Sequence, residues 1–362
     1  MEDRTGQGAF GCTVFLFALA AALLSGSSSP QAPAFPDDLR ATGLYSDFAA
    51  KTINPRNLHY SPQYALWSDG AGKERWIFLP PGTAIDAADP DIWSFPAGTK
   101  VWKEFSFGGR RVETRLIESL GEGKLAFAAY AWSADGTEAR LAPQSGLKHV
   151  VEVRPGIGHD IPGVWDCRAC HVGDKEEILG FSALQLSPDR DRNAPHSEPV
   201  SSDMADLSTL IRRNLIRAYP ESRAARAPRI DAPTATGRAA LGYMHGNCGN
   251  CHNLSGPLEA HGLILRHSVR PDAPGDAAIV AGLEHTSHYP IPGAAPGTSF
   301  FVRPGDPGHS AIAYRMSTRN PLRQMPPLGT AIADDDALRL ISRWIEKDLK
   351  PVRTQPPAMI VH

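Results

Sequence analysis

Residues 100–132 read KVWKEFSFGGRRVETRLIESLGEGKLAFAAYAW, and this stretch carries the clearest structural signal in the chain. Three runs in it are rich in β-branched and aromatic residues: Lys100–Phe107, Arg111–Leu120 and Lys124–Trp132. Glycine-containing turns separate them at 108–109 and 121–123. Short runs of this composition, joined by tight glycine turns, predict consecutive antiparallel strands.

Further strand-like runs lie on either side, at Arg75–Leu79 and Lys148–Val153. Together they predict an N-terminal antiparallel β domain over residues 35–158, built as a sandwich or a jelly roll. Helical patterns replace them after Pro155, in three segments: Leu207–Ile216, Thr236–Asn247 and Asp334–Leu349.

The sequence therefore predicts an α+β, multidomain chain in which the β domain precedes a mainly α-helical region. The predicted divisions are a signal peptide and linker (1–34), the β domain (35–158), a first cofactor-binding segment (159–230), a helical domain (231–350) and a tail (351–362).

Composition describes an ordinary soluble protein. The formal net charge of the 362 residues is -2, and acidic and basic residues are interspersed. A nucleic-acid-binding protein would concentrate basic residues on one face, so no nucleic-acid partner is expected.

Four of the five cysteines fall in two short motifs, Cys167-Arg168-Ala169-Cys170-His171 and Cys248-Gly249-Asn250-Cys251-His252. The spacing C-x-x-C-H attaches c-type haem. Its two thiols bond the two vinyl groups of one haem, and the following His ligates the iron. We therefore expect two covalently attached haems, with His171 and His252 as iron ligands.

Two other interpretations of these cysteines exist. A C-x-x-C pair alone also serves as a redox dithiol, and four Cys with two His are enough for a zinc site. Neither chemistry requires His directly after the second Cys, and two accidental copies of the five-residue motif are improbable. The haem interpretation is therefore preferred.

Met325 is the candidate sixth ligand of the second haem. It lies in Gln324-Met325-Pro326-Pro327, a loop between predicted helices. A thioether sulfur is a common partner of His in electron-transfer cytochromes, and adjacent prolines stiffen the loop that presents it. The alternative is that Met325 only fills a gap in the core, as most Met residues do.

The first haem has no comparable Met loop. Possible distal ligands are Met204, His196, His159 and His149, and the sequence assigns none of them. Around the second motif, a carbonyl at Gly256-Pro257 is placed to accept the ring N–H of His252, although a simple turn explains the pair equally well.

The N-terminus predicts export. An apolar run over Thr13–Leu24 has the length of a signal-peptide core, and Ala32-Pro33-Ala34 has the form of a cleavage site. The positive charge usual before such a run is missing, so an uncleaved membrane anchor is the alternative. Export places the mature chain in the periplasm.

Residues 236–349 resemble a class I cytochrome c domain, in the segments Leu241–Asn247, Met325-Pro326-Pro327 and Leu340–Ile345. That resemblance implies packing of the first helix against the last, with Gly242 and Trp344 in contact. Residues 35–350 resemble a family of bacterial dihaem c-type cytochromes with an N-terminal β domain, in segments such as Leu66–Ala71 and Ile161-Pro162-Gly163. Relatives can carry Met where this chain has Leu186, so that source of a ligand for the first haem is absent.

Two functions are compatible with these patterns. The first is electron transfer to a redox partner protein, with no catalytic residue. The second is a haem enzyme, peroxidase-like or a substrate dehydrogenase, in which the first haem is open and the β domain binds substrate. The pattern gives no oligomeric state.

Overall fold

A six-stranded antiparallel sheet is the centre of the computed structural model, which describes residues 34–171, 177–220, 224–270, 273, 276, 280, 283–287 and 289–349. The predicted signal segment and tail lie outside the described residues. In spatial order the strands are β3 (Leu58–His59), β4 (Gly72–Phe78), β6 (Lys100–Phe107), β7 (Arg110–Gly121), β8 (Lys124–Trp132) and β9 (Ala139–Leu141). The strands predicted within 100–132 are therefore confirmed, and they pair as neighbours.

Smaller strand pairs surround the sheet. They are β1 (Tyr45–Asp47) with β2 (Thr52–Ile53), β10 (Leu147–Arg154) with β11 (Ile157–Ile161), and the parallel pair β5 (Ile85–Asp86) with β12 (Ile216–Arg217). In the described residues each of these pairs is a separate two-stranded sheet. A sandwich or jelly roll, which needs two larger facing sheets, is not what forms.

The two faces of the six-stranded sheet have different partners. Trp102 lies on the face that packs with Leu39 and Tyr130 in one buried cluster. Val101 lies on the opposite face, in the larger cluster that also contains residues of the C-terminal helices. Successive side chains of a strand point to opposite sides, so neighbours in sequence enter different cores.

Five α-helices are present in the described residues: α1 (Val164–His171), α2 (Leu207–Arg212), α3 (Ala235–Asn247), α4 (Ala311–Ser317) and α5 (Asp335–Arg343). Side-chain caps begin three of them, since Asp206, Thr234 and Asp334 each accept a hydrogen bond from the backbone of the first turn. A π-helical turn, Trp344–Asp348, follows α5.

The predicted mainly α-helical cytochrome region is wrong. In the described residues the six-stranded antiparallel sheet is the largest structure, five α-helices are present, and only about 20% of the residues are helical. Among the described residues between α3 and α4, Pro304 and Pro307 lack a backbone donor, and Gly297 and Gly305 adopt positive φ angles. Both features interrupt helices. The helices of this region are therefore short, where a mainly α-helical region was predicted.

Helix bounds differ from expectation in one further place. The helix predicted over Leu207–Ile216 ends at Arg212, because Asn214 takes a positive φ of 53° and Ile216 then joins strand β12. The chain from Ala34 onward forms one compact unit, and the largest core cluster runs from Tyr60 to Ile345. The predicted divisions at 158 and 230 stay predictions.

Candidate functional site

The second Cys-x-x-Cys-His motif begins where helix α3 ends. Cys248 caps the helix, and its N–H donates to the carbonyl of Met244 at 2.8 Å. The turn then tightens, since the N–H groups of Cys251 and His252 both donate to the carbonyl of Cys248, at 3.1 and 3.0 Å. This turn places both thiols and the imidazole on one cavity.

That cavity has a volume of about 500 Å³, within the ~300–1,000 Å³ range of cofactor and ligand sites. Cys248, Cys251 and His252 line it on one side, and Met325 with Pro326 and Pro327 closes another. Apolar side chains make up most of the remaining wall, including Leu265, Val302 and Ile312. The structure therefore brings Met325 to the same cavity as the motif, across more than seventy residues of chain.

His252 is unsatisfied in this arrangement. Its Nδ1 is buried and has no hydrogen-bond partner among the described residues. Burial, with smaller contributions from the charges of Arg315 and His261, lowers the pKa of His252 to about 4, while the Leu263 carbonyl opposes this shift. A neutral imidazole is the form that binds iron. The carbonyl that raises the pKa of His252 is that of Leu263. The predicted carbonyl acceptor at Gly256-Pro257 is therefore not the one found.

The fit of a haem to this cavity is good. Two thiols, a neutral imidazole and a thioether are the donor set of a c-type haem with His and Met ligands. The cavity is apolar and large enough for a cofactor, and the His252 imidazole that lines it is neutral.

Helix α1 carries the first motif. The N–H of Gly163 donates to Asp166 Oδ2 at 2.9 Å and fixes the start of the helix. Cys167, Cys170 and His171 follow at i, i+3 and i+4, so they share one helix face. All three side chains are half-buried.

His171 is held as a metal-binding imidazole would be. Its Nδ1 donates to the carbonyl of Glu177 at 2.6 Å, which leaves Nε2 as the free acceptor. Burial lowers the pKa of His171 to about 4, so the ring is neutral. The ring of Phe127 lies 5.1 Å from it, centroid to centroid.

The cavity beside the first motif is much smaller, about 70 Å³. His171 and Cys167 line it together with Tyr60 and side chains from the sheet. The donor set of this motif fits a c-type haem, but the enclosed volume among the described residues does not hold a macrocycle. A haem attached here would be the less enclosed of the two.

Three cations also line this smaller cavity: Arg75 on β4, Lys103 on β6 and Arg115 on β7. Burial, and then the like charges of Arg75 and Lys73, hold the pKa of Lys103 well below its ordinary range. No motif marks these residues in the sequence. The sequence signal that could have identified them is a basic residue at an inward-facing position of a strand whose other inward-facing residues are mostly apolar.

None of the four candidate distal ligands lines either cavity among the described residues, and two of them have other partners. His159 is hydrogen-bonded to Asp69 and Glu113, and His196 is hydrogen-bonded to Asp334. Neither these two nor His149 and Met204 line either cavity, as far as the described part of the chain extends. Met316, by contrast, lines the larger cavity together with Met325.

The two motifs lie near each other. Burial raises the pKa of Cys170 to about 11, and the next largest cause is the charge of Cys251 from the other motif. The four motif cysteines form no disulfide. In the described ranges no three or more His, Cys, Asp or Glu side chains gather into a metal-binding group, so the zinc interpretation gains no support.

No known protein family, no curated protein and no solved structure matches this chain. Its function therefore rests on the geometry of its own side chains. Over the residues that the structure describes, no helix is both long and apolar enough to cross a membrane.

Proposed function

We propose that this protein is an exported, dihaem c-type cytochrome that transfers electrons to a redox partner protein. The observation that carries the proposal is the shared cavity of Cys248, Cys251, His252 and Met325. These four side chains come from two distant segments, and each supplies an atom that a c-type haem with His and Met ligands requires.

The residues of the larger cavity have separate tasks. Cys248 and Cys251 would attach the cofactor covalently, and His252 and Met325 would ligate its metal. A haem iron bound there supplies one-electron chemistry by changing between Fe(III) and Fe(II). Val302, Ile312 and Leu265 exclude water, and a less polar environment disfavours the more highly charged ferric state.

The proposal extends to the first motif and to the compartment. Cys167 and Cys170 would attach the first haem and His171 would ligate it, since the ring is neutral and its Nδ1–H already has an acceptor. Attachment of c-type haem follows export, so the mature chain begins between Ser25 and Phe35 and is periplasmic.

Covalent stoichiometry tests this proposal. The full chain is produced with a c-type haem maturation system, denatured and weighed by mass spectrometry, and its N-terminus is sequenced. Two haems per chain are expected. Cys167→Ala with Cys170→Ala, and Cys248→Ala with Cys251→Ala, should each remove one haem. A wild-type chain without covalent haem would overturn the proposal.

One observation favours a second function, a haem enzyme with an open first site. None of Met204, His149, His159 and His196 lines the cavity at His171 in the described chain. Carbon monoxide distinguishes the two functions, because it binds readily only to an iron with an open position. Rapid binding to one haem of the reduced protein supports the enzyme, and its absence supports the electron carrier.

A further inference from the structure

Three basic side chains stand in direct cross-strand register on the sheet face next to the first motif. Arg75 is opposite Lys103, and Lys103 is opposite Arg115. Like charges directly opposite each other destabilise a sheet, and burial increases the cost. A row of this kind needs anions beside it.

Two carboxylates are present for the three cations. Glu198 pairs with Arg75, and Glu113 pairs with Arg115 with an Nη2–Oε2 distance of 3.1 Å. Lys73 also approaches Glu198, at 4.0 Å, which adds a fourth cation to the same two carboxylates. Among the described residues the ammonium group of Lys103, the middle residue of the row, has no carboxylate or hydrogen-bond partner, and it lies 4.8 Å from the centroid of the Phe105 ring.

Lys103 lines the 70 Å³ cavity, together with Arg75 and Arg115. One buried water needs about 10–15 Å³ of such space, so the cavity has room for a larger group. It remains far below the ~300 Å³ at which sites for whole cofactors begin. Its size and its lining therefore match a single small oxyanion.

We propose that Arg75, Lys103 and Arg115 form a carboxylate-binding site beside the first Cys-x-x-Cys-His motif. Charge-assisted hydrogen bonds from these donors are about twice as strong as neutral ones, and an incoming carboxylate supplies the anion that Lys103 lacks and favours its protonated form. The carboxylate comes from one of two sources. The first source is a side-chain carboxylate of the haem held by Cys167, and this alternative rests on the proposed function. The second source is a free small carboxylate.

Formate titrations followed by calorimetry test the proposal and separate the two sources. The proteins are the full chain and the double variant Cys167→Ala with Cys170→Ala, each with and without Lys103→Met. Lys103→Arg keeps the charge and should keep the binding. Lys100→Met is the matched control, because Lys100 is on the same strand and approaches Glu118 outside the cavity.

A free carboxylate is the ligand if formate binds the wild-type chain one to one and Lys103→Met weakens binding at least tenfold. The haem is the source if the wild type does not bind formate, the double Cys variant does, and Lys103→Met again removes binding. The proposal is overturned if formate binds neither protein, or binds equally well with Met at position 103. Formate binding by a wild-type chain that carries no haem would instead overturn the proposed function and leave this site standing.

Discussion

Glu177 and Arg266 form an ion pair that links the two cofactor motifs, with Oε1 and Nη1 2.8 Å apart. The carbonyl of Glu177 accepts the hydrogen bond from His171 of the first motif. Arg266 Nε donates to the carbonyl of Gly249, between the two cysteines of the second motif, at 3.3 Å. The side chain of Arg266 is 14% exposed and that of Glu177 is 19% exposed, so solvent screens their attraction less than on the surface.

Arg266→Gln should lower the reduction potentials of both haems. The substitution removes a positive charge and leaves Glu177 unpaired, and both changes favour the ferric state. A charge effect of about 0.7 kcal/mol corresponds to roughly 30 mV for a one-electron couple. Spectroelectrochemical titration measures both potentials. Arg140→Gln is the control, because Arg140 on edge strand β9 pairs with Asp38 and Glu138 and lines neither cavity, and unchanged potentials in Arg266→Gln would refute the linkage.

Met325→Ala should abolish the near-infrared sulfur-to-iron band of the oxidised protein. It should also lower the reduction potential of one haem only. A thioether ligand raises that potential, and the increase is lost when Met325 is removed. Both covalent attachments should persist, since they do not depend on the distal side. Met316→Leu is the control within the same cavity. If the band survives Met325→Ala and disappears in Met316→Leu, the ligand is Met316.

Local features of this chain were predictable from sequence, because their causes are local. The strands from Lys100 to Trp132 follow from alternation and glycine turns, and they lie at or within one residue of the predicted bounds. The motif residues of α1 share a face because i, i+3 and i+4 always do on a helix. The expected packing of Gly242 on Trp344 depended on tertiary structure, and Gly242 instead faces the ring of Tyr64.

Contacts in the site between residues far apart in sequence were harder to predict. Lys103 and His171 line the same cavity. They do so because strands β4, β6 and β7 adopt one register and helix α1 packs against that face of the sheet. No periodicity in the sequence encodes that docking. The helical content was overestimated for a related reason, since three helical segments were taken to represent the whole region, and prolines and glycines interrupt helices between those segments.

Gly242→Ala should destabilise the protein by about 1–3 kcal/mol, the usual cost of overpacking a core. A Cβ at this position would lie 1.9 Å from Tyr64 Cε1, so the ring or helix α3 must move. Chemical denaturation measures the free energy of unfolding. Gly308→Ala is the control, because its new Cβ would meet only Asp306 Oδ1, at 3.4 Å. Equal effects of the two substitutions would contradict the close contact with Tyr64.

His159 should make the stability of the protein depend on pH. Its ring is 2% exposed and bridges Asp69 Oδ2 at 3.2 Å and Glu113 Oε2 at 3.3 Å. The other oxygen of Asp69 accepts from the N–H groups of Ala331 and Ile332, so this bridge joins the sheet to the loop after Met325. Burial disfavours the charged ring, and the charge of Arg115 opposes it too. The hydrogen bonds to Asp69 and Glu113 outweigh both and raise the pKa of His159.

A raised pKa in the folded state stabilises the protein fully below the unfolded pKa of about 6.5. That contribution is lost as the pH rises through the folded pKa. The free energy of unfolding of the wild type should therefore fall as the pH rises above about 6.5, and His159→Gln should flatten this dependence by an amount on the order of 1 kcal/mol. Denaturation curves at several pH values measure it, and His149→Gln, on exposed strand β10, is the control. A pH dependence that is the same in wild type and His159→Gln would show that the bridge is not charged.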